Sequence, residues 1–281
     1  MSTAVSQTSR TAGVGARAPS LAASFARATL RTLGLPAVLV LIWWLVSARS
    51  GSFFFPPLST IVSSFAPTWF EGRLQTDVLP SLARLLIGYV LALVVGVGLG
   101  TAVGLWGTLR SFIEPVLEFF RAIPPTVLVP ILMLFLGIGT NMRVFVIALG
   151  ALWPILLNTV EGVRAIDEVL RDTASIYRLR RLTRLRVLVL RGASPQIVTG
   201  AHQALSIAII LMVISEMFAA RDGLGFSIVQ FQRSFAIPQM WTGIILLGFL
   251  GFALSVIFRA LERPLLAWYS GLRRADSGGN R

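Results

Sequence analysis

The sequence predicts an all-α membrane protein with six transmembrane helices, and three observations carry that reading. Mean hydropathy is +0.79. Only 13% of the 281 residues are charged, about half the share usual in soluble domains. Apolar runs also recur at membrane-crossing length, a helix needing roughly 20 such residues to cross about 30 Å of hydrocarbon.

Residues 1–32 contain arginine, serine, threonine and alanine but no acid. They read as a disordered basic cytoplasmic arm against anionic headgroups, with a cleaved targeting segment as the alternative. The membrane domain covers 33–268, and 269–281 form a cytoplasmic tail. The first span covers about 33–48, the second about 82–109, and the third, short and proline-rich with an amphipathic lead-in from Phe112, about 123–138. The fourth covers about 144–160, the fifth 195–219 and the sixth 241–261.

All basic residues are arginine, and net charge is +13. With both termini cytoplasmic, inner segments 1–32, 110–122, 161–194 and 259–281 hold 4, 2, 8 and 5 arginines, and outer segments 49–81, 139–143 and 220–240 hold 2, 1 and 2. This asymmetry follows the positive-inside rule and assigns the excess charge to cytoplasmic loops and membrane lipid, with no nucleic acid partner. Without cysteine or lysine and with one histidine, the chain offers no disulfide, no expected metal site and no nucleotide-binding G-x-x-x-x-G-K-[S/T] loop. Work against a gradient then requires another chain.

Within the second span Ala92, Gly96, Gly100 and Gly104 repeat every four residues, a seam where another helix backbone can approach. Pro124 and Pro125 read as the start of a helix, and Pro195 after Ser194 as a first helical position with its cap. Pro130 and Pro154 lie deeper, where bends are expected. His202 and Ser206 share a face of the fifth span beside Gln203. No orienting acid or oxyanion hole accompanies them, so no catalytic residue is expected. Glu216, near the outer end, is expected to reach water or Arg221.

Several stretches resemble one family: EFFRAIPPTVLVPILMLFLGIG (118–139), ALWPILLNTVEGVRAID (151–167), AARDGLGFSI (219–228) and FFPPLSTI (54–61). They are similar to inner-membrane permease subunits of binding-protein-dependent ABC importers, in the branch for sulfonates, taurine and nitrate. The resemblance implies the type I ABC importer permease fold and a homodimer of permeases around a gated path. It also implies two cytosolic ATPases that use ATP and Mg, and an extracytoplasmic binding protein. This chain would bind no cofactor itself and would lie in a bacterial plasma (inner) membrane.

The resemblance further makes 161–194 the cytoplasmic coupling segment. Asp172, Thr173 and Ala174 stand at the family's E-A-A positions, Arg178 at its glycine and Arg191 at its proline. Leu179, Leu182, Leu185 and Leu188 recur every third residue, which drifts about 60° per step around an α-helix and fits two short helices better than one. The expected bend lies between Leu179 and Thr183, sparing Arg178 a left-handed conformation. Asp172 would accept a hydrogen bond from the ATPase, and Ile176, Tyr177 and Leu179 would fill its groove. From facing and polarity, Phe135, His202, Ser206, Met212 and Ser215 are candidates for the path. The expected cargo is a small anion such as a sulfonate, taurine or nitrate. The alternatives are a neutral or heterocyclic solute such as a pyrimidine precursor, a passive channel or secondary carrier, and an intramembrane enzyme.

Overall fold

Eleven α-helices, two π-helical turns and one 3-10 turn account for the regular structure of the described residues. The structure is a computed structural model describing the backbone of residues 21–269 and the side chains of 34–269 other than positions 121 and 219. The arm at 1–20 and the tail beyond 269 lie outside the described residues. The chain divides into two compact units, Met1–Leu58 and Ser59–Arg281.

In the first unit α1 spans Leu21–Arg49. It begins well before the expected 33, because LAASFARATL is rich in strong helix formers and nothing there breaks the helix. The following turn folds onto its end: Ser50 Oγ donates to the Phe55 carbonyl at 2.7 Å, and the Leu58 N–H donates to Ser47 Oγ at 3.2 Å.

The second unit holds all but the first residue of α2 (Leu58–Phe70), then a π turn (Leu74–Val78), α3 (Leu79–Leu105) and α4 (Gly107–Ala122). A 3-10 turn (Pro125–Val127), α5 (Leu128–Leu136), α6 (Thr140–Arg164) and α7 (Glu168–Ile176) follow. Then come α8 (Arg181–Thr183), a second π turn (Arg184–Leu190), α9 (Arg191–Ala219), α10 (Leu224–Arg233) and α11 (Ile237–Leu265). Among the described residues four stretches are long and apolar enough to cross a membrane: Leu74–Leu105, Thr140–Arg164, Arg181–Phe218 and Ile237–Leu265. Counting the pair Gly107–Phe120 and Pro125–Leu136, bent by 70°, as one span gives five, and Gly34–Arg49 is a shorter apolar helix.

Two expected boundaries move. The second span stops at Leu105, where Trp106 is extended (φ −111°, ψ 103°) and Gly107 opens a new helix. The helical run that carries the fifth span starts at Arg181, so Pro195 lies inside a helix. Proline cannot donate to the carbonyl four residues back, and here Ser194 Oγ donates to that Arg191 carbonyl at 2.8 Å instead. Pro124 and Pro125 do start a helix, the short 3-10 turn.

The core is a layer of α3, α6 and α9. Leu85, Val146, Ile147, Ile155, Ala204 and Leu211 are buried at its centre, and Tyr89 Oη donates to the Ala201 carbonyl at 2.8 Å. The small-residue seam of α3 meets α6 directly. A Cβ on Gly96 would fall 2.8 Å from Ile155 Cγ2, one on Gly100 2.7 Å from the Leu156 carbonyl oxygen, and one on Gly104 2.8 Å from Val163 Cβ. Side chains of α6 thus sit where α3 has none, the geometry that brings two backbones close.

Candidate functional site

The connector between α6 and α9 is built from local rules. Asp167 caps α7, its Oδ1 accepting from the Val169 N–H at 2.8 Å, which satisfies one of the free donors of the first turn. Arg171 Nη2 donates to the Val163 and Arg164 carbonyls at 2.7 and 3.3 Å. A cation thereby closes the C-terminus of α6 and fastens α7 to it. Ala174 is the residue of α7 buried beneath it.

Helix α7 ends at Ile176, and Arg178, two residues on, has φ +48°. The expected bend between Leu179 and Thr183 is therefore corrected: the break is at Arg178 itself. The Arg178 N–H donates to the Ser175 carbonyl at 3.0 Å and the Leu179 N–H to the Ala174 carbonyl at 3.1 Å. These two bonds form the Schellman termination that glycine ordinarily serves. Their gain, with Arg178 exposed and its side chain unconfined, outweighs about 1–2 kcal/mol of left-handed strain. Arg191, in contrast, sits in continuous helix with its guanidinium 5.5 Å from the Trp268 ring.

What α7 exposes is unusual for an unpartnered helix. Val169 is 69% exposed, and Ile176 and Tyr177 are each 77% exposed. Asp172 and Thr173 are also exposed, and Leu179 follows at the break.

The path candidates separate. Phe135 is 81% exposed. His202 and Ser206 line a groove of about 290 Å³ with Val198, Thr199, Gln203 and Glu262, where the His202 ring lies 5.0 Å from Phe258. Met212 and Ser215 are buried inside the protomer, and Ser215 Oγ donates to the Met212 carbonyl. In this structure those two do not face an open path.

At the opposite end of the α3–α6–α9 layer lies an ionic network that linear reading did not assemble. Arg84 Nη1 meets Glu216 Oε1 at 3.0 Å and Nη2 meets Asp222, while Arg143 Nη1 meets Asp222 Oδ1 at 3.1 Å. Glu216, 1% exposed, is therefore paired within the bundle rather than with water or Arg221. The start of α10 closes on the same groups. The Gly223 N–H donates to Asp77 Oδ1 at 3.2 Å, the Leu224 N–H to Ser81 Oγ at 2.9 Å, and the Gly225 N–H to Glu216 Oε2 at 3.0 Å. Three orphan donors of a helix N-terminus thus find acceptors, two of them carboxylates that complement its dipole.

The GLG of the AARDGLG stretch now has a physical reason. Gly223 has φ +116°, and a Cβ there would fall 2.5 Å from the Glu216 carboxyl carbon; one on Gly225 would fall 2.5 Å from the Val213 carbonyl oxygen. Partial burial pushes the Asp222 carboxyl up, but hydrogen bonds and charges from Arg84 and Arg143 outweigh that, leaving it below the ordinary carboxylate value. With Arg73 on Asp77 at 3.4 Å, the network holds three cations and three anions. Its formal charges balance, and it belongs to the architecture.

Residues 88–266 match the family described as binding-protein-dependent transport system inner membrane component. The chain belongs to that family. It is a permease of the ABC transporter class and a multi-pass inner-membrane protein. The permease is 29% identical over 245 residues to the taurine transport system permease protein TauC of Escherichia coli (strain K12), covering 85% of this chain and 89% of that one. It is 27% identical over 241 residues to the putative aliphatic sulfonates transport permease protein SsuC of Bacillus subtilis (strain 168), covering 85% and 87%. To the bicarbonate transport system permease protein CmpB of Synechococcus elongatus it is 29% identical over 238 residues, covering 80% and 86%. Its fold resembles that of the MetNI methionine ABC transporter in an inward-facing crystal form, with TM-score 0.58, 20% identity, and coverage of 67% of this permease and 94% of that chain.

Proposed function

We propose that this permease forms the translocation path of an ATP-driven importer for a small oxyanion of the sulfonate, taurine or bicarbonate class. It works as a homodimer with both termini cytoplasmic and six spans per protomer, Gly34–Arg49 supplying the first. Two cytosolic ATPases hydrolyse ATP with Mg, and an extracytoplasmic binding protein delivers the solute; the permease itself catalyses nothing. The names of the relatives support the cargo class.

The observation that carries the coupling role is α7. A short helix presents Ile176 and Tyr177 at 77% exposure beside Asp172, and Arg171 fixes it to the end of α6. Apolar side chains held out on a rigid mount lose little further freedom on docking, so the ATPase groove gains contact area at small entropic expense. Closure of the ATPase pair then moves α6 and α9 as rigid elements, because its two states contact α7 differently.

The test is substrate-stimulated ATP hydrolysis by the assembled complex in proteoliposomes. Asp172→Ala removes a charge-assisted hydrogen bond and lowers stimulation about tenfold, and Ile176→Asp abolishes it. Full stimulation in both variants overturns the assignment. For the path, Ser206→Phe and His202→Phe narrow the groove and reduce uptake of radiolabelled solute without disturbing assembly. Unchanged uptake in both would remove that face from the route.

A further inference from the structure

A second surface near the connector has a different chemistry. A groove of about 400 Å³ is lined by Leu105, Trp106, Arg181, Arg184, Leu185 and Val189, where the end of α3 meets the start of the long helix Arg181–Phe218. Ile176 and Tyr177 take no part in it.

Its lining is divided by polarity. Arg181 and Arg184 are exposed, and neither makes an ion pair or a side-chain hydrogen bond among the described residues. Leu105, Leu185 and Val189 supply its apolar lining, and Val189 is buried. Trp106, 63% exposed, stands at the rim with extended backbone. It occupies the end of an apolar span, where tryptophan favours the headgroup level of a bilayer. The π turn Arg184–Leu190 shapes the wall. Its wider i→i+5 bonding, a feature concentrated at functional sites, keeps Arg184, Leu185 and Val189 on one side of the helix.

We infer that this groove is a binding site for one anionic phospholipid, its phosphate held between Arg181 and Arg184 and an acyl chain laid along Leu105, Leu185 and Val189. The two guanidiniums offer planar forked donors that match a phosphodiester. The apolar wall argues for a lipid over free phosphate, which would leave half the groove against water. Charge alone does not define the site, since Arg180 and Arg186 lie in the same segment outside the lining. The inference rests on the reading that this end of the bundle meets the membrane surface, and it is independent of any cargo.

The experiment uses the full chain in nanodiscs containing phosphatidylglycerol diluted in phosphatidylcholine, with and without its ATPase. Native mass spectrometry counts retained phosphatidylglycerol. A guanidinium hydrogen-bonded to the bound phosphate contributes a preference of about fivefold or more. Arg181→Gln/Arg184→Gln should therefore weaken retention about thirtyfold, whereas the charge-matched Arg180→Gln/Arg186→Gln leaves it nearly unchanged. Soluble glycerophosphate should not displace the bound lipid, and displacement would mean a free-phosphate site. Equal losses in both double variants mean a diffuse basic patch and overturn the site. Retained lipid with lost ATPase binding in Arg181→Gln/Arg184→Gln makes the groove a protein-docking surface and also overturns it. Because lipid is counted on the chain alone as well, a failure to bind any ATPase is recognised separately as failure of the importer reading.

Discussion

Arg178 holds a backbone conformation that an L-residue with a Cβ enters only at a cost of about 1–2 kcal/mol, and it does so at the break between α7 and α8. Phe235, with φ +57°, ends α10 in the same way, its N–H donating to the Gln232 carbonyl at 3.2 Å and the Ala236 N–H to the Phe231 carbonyl at 2.9 Å. Arg178→Gly should therefore raise stability by up to about 1 kcal/mol, read as a small increase in Tm in detergent. Arg178→Pro, confined to φ near −65°, should abolish substrate-stimulated ATP hydrolysis. Glu216 is the other decisive single residue. Glu216→Gln leaves buried Arg84 short of a charge partner and should cost about 3 kcal/mol, seen as a Tm loss of several degrees. Neither feature could be read from the chain alone. The termination at Arg178 was misplaced because residue propensity disfavours a left-handed arginine, whereas two local hydrogen bonds, to the Ser175 and Ala174 carbonyls, close the helix there. The partners of Glu216 lie 132 and 135 positions away at Arg84 and Ser81, a distance over which periodicity carries no information.

At the level of the helix, the seam on α3 makes a paired prediction. Gly100→Ala places a methyl group 2.7 Å from the Leu156 carbonyl oxygen, a backbone atom, whereas Gly98→Ala meets nothing within 4 Å. The first should cost about 1–3 kcal/mol by overpacking and the second should be neutral or slightly stabilising, compared by Tm in one detergent. This seam was legible because four-residue spacing of small side chains has one geometric meaning on a helix. The start of α9 was not. Ser194 followed by Pro195 has the same local grammar at a cap as inside a helix, and only the bond from Ser194 to the Arg191 carbonyl distinguishes them. The end of α3 was missed for a related reason: the apolar run continues to Leu109, but the backbone turns out at Trp106.

Across the whole molecule, Asp222 joins the N-terminal ends of α3 and α6 to the loop that follows α9. Its folded pKa is lowered. The stabilisation it provides is thus complete above the ordinary aspartate value of about 3.9 and is lost as pH falls through the lower folded value. A Tm profile between about pH 2 and 5 should show an acid limb in the native permease. Asp222→Asn should flatten that limb while lowering the plateau above it. A limb of equal depth in the variant would assign acid sensitivity to another group.

Helix α6 is thereby held at both extremities, by Arg171 on the carbonyls of Val163 and Arg164 at one and by Asp222 on Arg143 at the other. Its 25 residues reach roughly 37 Å, and along much of that length α3 lies too close to slip sideways without a steric clash. A strut anchored at each tip and keyed along its flank has little freedom to bend or rotate alone. On the proposed importer reading, a tug applied at α7 tilts the pair α3–α6 as one lever, so motion at one end of the bundle is delivered as an angular change at the other.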